Sequence, residues 1–167
     1  MGAVLSSDLH GLANPRVGLL NIGEEDIKGT EELRDAHRRL GLAPINYRGF
    51  VEGDDIFSGD VDVVVTDGFA GNVALKTSEG LARFISGVMR EEFTRGPLRK
   101  LAGVAATPAL RALKRRLDPR SYNGASMVGL AGVVIKSHGG ADQAAFASAV
   151  RVAVVEARKG VPSQIVE

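Results

Sequence analysis

The sequence predicts an α/β fold, a mostly parallel sheet flanked by helices. Three observations lead there. Apolar runs rich in β-branched residues occupy positions 17–22, 61–66 and 133–137. Each run ends in a polar or glycine-containing loop, and each loop is followed by residues with helical periodicity. Strand and helix therefore alternate along nearly all of the chain, which is the pattern of a parallel sheet with crossover helices. Val61, Val63, Val64 and Val65 form the kind of run expected of a strand buried on both faces.

Residues 1–12 read as a short helix with Val4, Leu5, Leu9 and Leu12 on one side, stopped by Asn14-Pro15. After the strand at 17–22, the polar loop 23–29 leads to Thr30, an N-cap residue. Glu31 and Glu32 lie in the first turn of the helix it opens, and Arg38 and Arg39 in the last. Leu33, Ala36, His37 and Leu40 give that helix its apolar stripe, and Gly41 closes it. Residues 45–50 make a short strand, 52–58 a turn or single helical turn, and 61–66 the central strand. The helix after Gly71 carries Leu81, Phe84, Ile85 and Val88 at i, i+3, i+4 and i+7. Residues 121–132 are a glycine-rich link. His138-Gly139-Gly140 turns from the strand at 133–137 into a last helix, with Phe146, Ala149, Val150 and Ala153 facing inward.

The stretch 95–120 has another character. Arg95, Arg99, Lys100, Arg111, Lys114, Arg115, Arg116 and Arg120 face a single acid, Asp118, with Leu98, Leu101, Val104, Leu110, Leu113 and Leu117 between them. Pro97 and Pro108 divide it into two short helices. Leucine alternating with arginine suits an anionic membrane surface, and it equally suits an acidic protein partner. The plain alternative is a solvated face whose leucines pack on the domain. Nucleic acid fits poorly, because no aromatic lies between 98 and 120 to stack on bases.

Composition excludes several chemistries. The 167 residues are 44% hydrophobic and 25% charged with a net charge of +1, enough for one core and no global electrostatic bias. There is no cysteine, so no disulfide, thiolate nucleophile or Cys-ligated zinc. No apolar run approaches ~18 residues, and no signal-peptide pattern opens the chain. Neither G-x-G-x-x-G nor G-x-x-x-x-G-K-[ST] occurs. Gly124-Ala125-Ser126-Met127-Val128 misses the nucleophile elbow at its second glycine, which argues against a serine hydrolase. Glu24, Glu25 and Asp26 read as a solvated acidic loop and not as metal ligands, so neither a metal nor a cofactor is expected.

Parallel strands would set the loops 23–29, 67–72 and 137–140 on one sheet edge, where open α/β sheets bind ligands. Gly68 and Gly71 would let the backbone approach an anion, and a helix N-terminus behind them would favour it. Lys28, Asn72, Lys76, Lys136 and His138 would add cations and neutral donors, with Gly139 in the turn. That set suits a phosphate or a developing oxyanion. The plain reading of such glycine loops is that they only let the chain turn. His37, on an apolar helix face, reads as a packing histidine.

Three segments together resemble the bacterial phosphate acyltransferase family of phospholipid synthesis. They are Asn14-Pro15-Arg16-Val17-Gly18-Leu19-Leu20-Asn21-Ile22-Gly23-Glu24-Glu25, Val63-Val64-Val65-Thr66-Asp67-Gly68-Phe69-Ala70-Gly71-Asn72-Val73-Ala74-Leu75-Lys76-Thr77, and Val133-Val134-Ile135-Lys136-Ser137-His138-Gly139. The resemblance runs in order over residues 1–167. Family members carry a further amino-terminal half with its own glycine-rich motif, so the chain is read as the carboxyl-terminal part. The fold implied is related to phosphate acetyltransferases and isopropylmalate dehydrogenase-like enzymes, with residues 94–120 as a projecting basic helical hairpin.

The function implied is reversible transfer of a long fatty acyl group from acyl carrier protein to inorganic phosphate, giving acyl phosphate. That product would feed a membrane glycerol-3-phosphate acyltransferase in phosphatidic acid synthesis. The resemblance further implies a homodimer in the cytoplasm, held peripherally on the inner face of the cell membrane. Lys28 and Asn72 fall where the family's catalytic pair would lie, Lys28 holding phosphate and Asn72 donating to the oxyanion. Leu98, Leu101, Leu110 and Leu113 would insert in lipid, with Arg99 and Arg115 on headgroups or on the carrier protein. Two other functions compete: a non-catalytic dimerising module that binds membrane or carrier protein, and an acetyl-phosphate-forming enzyme that uses coenzyme A.

Overall fold

The structure is a computed structural model that describes residues 1–116 and 118–166. Leu117 and the side chain of Arg116, both read into the basic stretch, lie outside that description. The chain divides into two units, one made of Met1–Asp67 with Asn123–Glu167 and the other of Gly68–Tyr122.

The first unit holds a parallel three-stranded sheet. Strand β1 (Arg16–Leu20) is central, with β2 (Asn46–Val51) on one side and β3 (Val63–Val65) on the other. Alternation sends Val17 and Leu19 to one face, where each is only 2% exposed. Gly18 points to the other face, and a Cβ there would sit 2.7 and 2.9 Å from the two Val51 methyls and 3.2 Å from Val61 Cγ1. The register slips between Val17 and Gly18. The expected α/β class is therefore correct, but the valine run is not the central strand. Its paired part is three residues long, half-buried to exposed, and on the sheet's edge among the described residues. A β-branched run reports strand propensity; its place in the sheet depends on the order in which strands pair.

Helix α1 (Gly2–His10) packs on β3 and ends one residue later at Gly11, whose left-handed φ of 70° stops it before Asn14-Pro15 is reached. Helix α2 (Glu31–Leu42) starts as expected. Thr30 caps it by accepting from the Leu33 N–H at 3.4 Å, and hydrogen bonds from its own N–H and from Thr30 hold the Glu32 carboxyl below the usual range. It runs past Gly41 to Leu42, so only Arg39 remains in the last turn. Leu33, Ala36, His37 and Leu40 form its half-buried stripe. A single 3-10 turn covers Asp55–Phe57.

The strand expected at 133–137 does not join the parallel sheet. Only Ile135–Lys136 is extended, as β5, and it pairs antiparallel with β4 (Ala125–Ser126). Helix α5 (Gln143–Lys159) follows, capped by Asp142. Its buried residues are Ala145, Ser148, Ala149 and Glu156, whereas Phe146 and Val150 face out, 59% and 47% exposed. Of the expected inward set, Ala149 is buried and Ala153 half-buried, while the bulkier Phe146 and Val150 are not. A further helix, α6 (Val161–Val166), buries Val161 at 1% exposure.

The second unit contains α3 (Gly68–Thr94) and α4 (Pro97–Arg116), two helices in contact and joined through Arg95-Gly96. Gly68 and Gly71 are helical, so the glycine loop expected before α3 is its first turn. Leu81, Phe84, Ile85 and Val88 are correctly spaced but 43–67% exposed. Pro108 sits inside α4 and does not divide it. A Cβ on Gly103 would meet the Phe93 side chain at 3.2 Å, so α3 and α4 touch closely there.

Candidate active site

The loop that leaves β1 carries Lys28. The backbone N–H of Asn21 donates to the Val51 carbonyl at 2.9 Å, which extends the β1–β2 ladder one residue past the strand. From there the Asn21 side chain, 6% exposed as a residue, reaches back to donate to the Lys28 carbonyl at 3.3 Å. The Lys28 N–H donates to the Glu25 carbonyl at 2.9 Å and closes a turn. The Lys28 side chain is exposed, with its Cγ and the Glu25 carboxylate both close over Gly23. Glu24, Glu25 and Asp26 crowd the same loop, so its local charge is negative and an anion there depends on the lysine head group for attraction.

His37 packs as expected. Its ring stacks on Phe50 with centroids 4.4 Å apart, and Nδ1 lies 2.8 Å from the Tyr47 hydroxyl. Burial first, and then the Asp26 charge, push the Tyr47 hydroxyl up to about 12. Sequence reasoning missed that Asp26 leaves the acidic loop to approach His37 Nε2 at 3.7 Å.

Lys136 is on β5 of the small antiparallel sheet and His138 lies just past its end, so no shared sheet edge joins their turn to Lys28. Asn123 organises this region. Its amide donates to Ser137 Oγ at 2.9 Å and to the Ala145 carbonyl at 2.8 Å, and its oxygen accepts from the His138 N–H at 2.9 Å. The glycine-rich link hides Asn123 in the sequence, where an amide residue before Gly124 is the only signal of it. The His138 ring folds onto its own turn, where Nδ1 accepts from the Gly140 N–H at 3.1 Å, and the residue is exposed with Gly139. Ser126 lies on β4, not on a strand-to-helix elbow, and donates to the buried carboxylate of Glu156.

Asn72 and Lys76 stand in the second unit. Asn72 is exposed and is the fifth residue of α3, one turn inside the helix, because the helix opens at Gly68. Its own N–H is therefore past the four orphan donors, and what it can present is its side-chain amide. Lys76 pairs with Glu79 at 3.0 Å along the helix.

Helix α4 separates its side chains by face. Gly103, Ala106, Thr107 and Leu110 form a half-buried stripe at i, i+3, i+4 and i+7, the stripe by which Gly103 meets Phe93. Leu98, Leu101, Val104 and Leu113 are 79%, 67%, 70% and 45% exposed. Leu110 therefore does not share the outward face with the other three leucines. The basic stretch also has more acid than expected, since Arg95 bonds Glu91 and Glu92, and Arg99 bonds Glu92. Lys114 lends its charge to Asp118, whereas Lys100, Arg111 and Arg115 are exposed on α4. No helix among the described residues is long and apolar enough to cross a membrane.

A pocket of about 460 Å³ opens in the first unit between Arg16, Glu24, Arg48, Phe50, Asp55 and Asp60. None of the residues singled out for chemistry lines it.

Comparison with known proteins bears on all of these residues together. Residues 1–164 match the family described as "Fatty acid synthesis protein". Curated relatives named "Phosphate acyltransferase" are similar over almost the whole chain. The protein from Nitrosococcus oceani is 58% identical over 165 residues, which is 99% of this chain and 48% of the relative. The Halorhodospira halophila protein is 60% identical over 166 residues, with the same shares. The Methylococcus capsulatus protein is 57% identical over 167 residues, 100% of this chain and 49% of its own. The chain spans about half the length of these relatives.

Proposed function

Since the chain belongs to the fatty acid synthesis protein family, the family of the phosphate acyltransferases, we propose that it carries residues for transfer of a fatty acyl group from acyl carrier protein to inorganic phosphate. The observation that carries this reading is 57–60% identity to phosphate acyltransferases across essentially the whole chain. Near neutral pH phosphate is largely ionised, as the second pKa of ~6 for a phosphate ester indicates, so it needs little help as a nucleophile. A phosphate oxygen attacks the thioester carbonyl, a C–O bond forms, the C–S bond breaks, and the carrier thiolate leaves to take a proton. No acyl-enzyme is required, which agrees with a chain that has no cysteine. What the protein must supply is position and charge.

Lys28, an exposed cation on a fixed turn, is assigned to holding phosphate. The Asn72 side-chain amide is assigned to the oxyanion of the tetrahedral intermediate. Gly68, Gly71 and Lys76, beside Asn72 on α3, and Lys136, His138 and Gly139, in and after β5, are assigned as weaker candidates for contact with an anion. The outward face of α4, with Leu98, Leu101 and Leu113 flanked by Lys100, Arg111 and Arg115, is assigned to an anionic membrane surface. Carrier protein is the other acidic partner that this charge suits. Cytoplasmic placement on the inner membrane face, a homodimer, and delivery of acyl phosphate to a membrane acyltransferase complete the reading.

The test is phosphate-dependent release of free carrier protein from acyl-acyl carrier protein. It is run with this chain alone and with the chain inside a polypeptide of the relatives' full length. Release that requires phosphate supports the reading; none in either form, or a preference for coenzyme A thioesters, overturns it.

A further inference from the structure

Asn21 is buried where β1 runs out, yet its side chain is spent on one neighbour, Lys28. We infer that Asn21 is the positioning residue for Lys28, fastening the root of that lysine to the end of the central strand; this rests on the reading of Lys28 as the phosphate holder.

The geometry is specific. Asn21 is itself fixed by its N–H bond to Val51. The Lys28 carbonyl can only accept, so the Asn21 amide nitrogen must face it, and the 3.3 Å bond is of that kind. The Asn21 oxygen is then left buried without a hydrogen-bond partner among the described residues. It lies against Gly29, where any Cβ would collide with it and where φ is +79°. A buried, unpaired amide oxygen is a cost that an apolar residue at the strand end would not carry. The main chain of Lys28 is thus held on both sides, its N–H by Glu25 and its carbonyl by Asn21. Lysine is a point charge on a flexible four-carbon stem, so fixing its root narrows the volume its ammonium group sweeps.

Asn21→Asp tests this with almost no change of shape. At pH 8 a carboxylate would set acceptor against acceptor at the Lys28 carbonyl. Protonation returns a donor, and burial raises the pKa of such a carboxyl, so the defect should be reversible with pH. Inorganic phosphate is titrated into this chain and followed by NMR, each variant expressed as a ratio to the wild type at the same pH. Expected are an affinity at least about fivefold weaker in Asn21→Asp at pH 8, the factor set by one ordinary hydrogen bond, and recovery of most of it near pH 5.5. Amide exchange at Lys28 and Gly29 without phosphate should speed up at pH 8, while exchange at Leu19 stays unchanged; general loosening of the strand would move all three. Wild-type phosphate affinity and exchange in Asn21→Asp would overturn the positioning role. Lys28→Ala reads the underlying assignment separately: loss of phosphate binding supports it, and unchanged binding overturns it together with the role of Asn21.

Discussion

Arg16 and Asp62 hold each other by four hydrogen bonds. The Arg16 N–H and Nε donate to Asp62 Oδ2 at 2.8 and 2.9 Å, Nη2 donates to Oδ1 at 2.9 Å, and the Asp62 N–H returns one to the Arg16 carbonyl at 2.8 Å. This clamp joins the first residue of β1 to the residue that leads into β3. The Arg16 side-chain and backbone bonds bring the Asp62 carboxyl down to about 2.

A depressed carboxyl stabilises the fold above its unfolded pKa, ~3.9 for aspartate, and that contribution is lost as pH falls through the folded value. Between those two values the unfolded chain binds more protons, so stability rises with pH. Urea midpoints of the wild type should therefore drop as pH falls from about 4 to about 2. Asp62→Asn should start less stable and show a flatter dependence across that window.

Tyr47 gives the opposite limb. Its hydroxyl is pushed up to about 12, so its contribution is complete below the unfolded value of ~10 and is lost as pH rises toward the folded one. Tyr47→Phe should remove that alkaline loss. It should also lower stability near neutral pH by about 1 kcal/mol, the ordinary worth of its bond to His37. Thermal melts at pH 7 and at intervals above 10 separate the two effects.

Gly18→Ala should destabilise by about 1–3 kcal/mol through overpacking. Its new methyl would meet two Val51 methyls on a stiff β-branched side chain. Denaturant titration measures the loss, and pairing it with Val51→Ala should return part of it, because the two changes share one space.

In a catalytically active, full-length form, Asn72→Ala should lower the rate about a hundredfold, the effect of removing one oxyanion donor worth ~3 kcal/mol. Lys76→Ala should cost far less, since Lys76 is paired with Glu79. Turnover of acyl carrier protein thioester measures both.

Vesicle sedimentation checks the α4 face. Replacing Leu98 and Leu101 together with serine should weaken binding to vesicles rich in anionic lipid, whereas Leu110→Ser should act mainly on stability. Those exposures separate Leu98 and Leu101 from half-buried Leu110. Neutral vesicles should bind less than anionic ones.

Local rules were the ones the sequence carried well. Thr30 caps α2 because a hydroxyl in front of two glutamates is chemistry within one turn, and the β1 run is buried as its residues suggest. What failed depends on distant partners. The rank of β3 in the sheet is set by which strands pair, not by its own valines. β5 pairs antiparallel with β4, a partner its own apolar run does not name. Pro108 was expected to break α4, but it removes one backbone bond from a helix held on both sides of it by the Gly103–Leu110 stripe. Residue type and motif were enough to nominate Lys28 and Asn72 as candidates. They did not reveal Asn21 and Asn123, since a buried amide is recognised by what it touches.

The reach of the Asn123 side chain also bears on the chain entropy of folding. Its bonds close loops of 14, 15 and 22 residues, while the Arg16–Asp62 clamp closes one of 46. Ring-closure entropy favours the shortest of these over the longest by about 1 kcal/mol. Fastening the His138 turn to the start of α5 therefore asks less chain entropy than the clamp that joins β1 to the residue before β3.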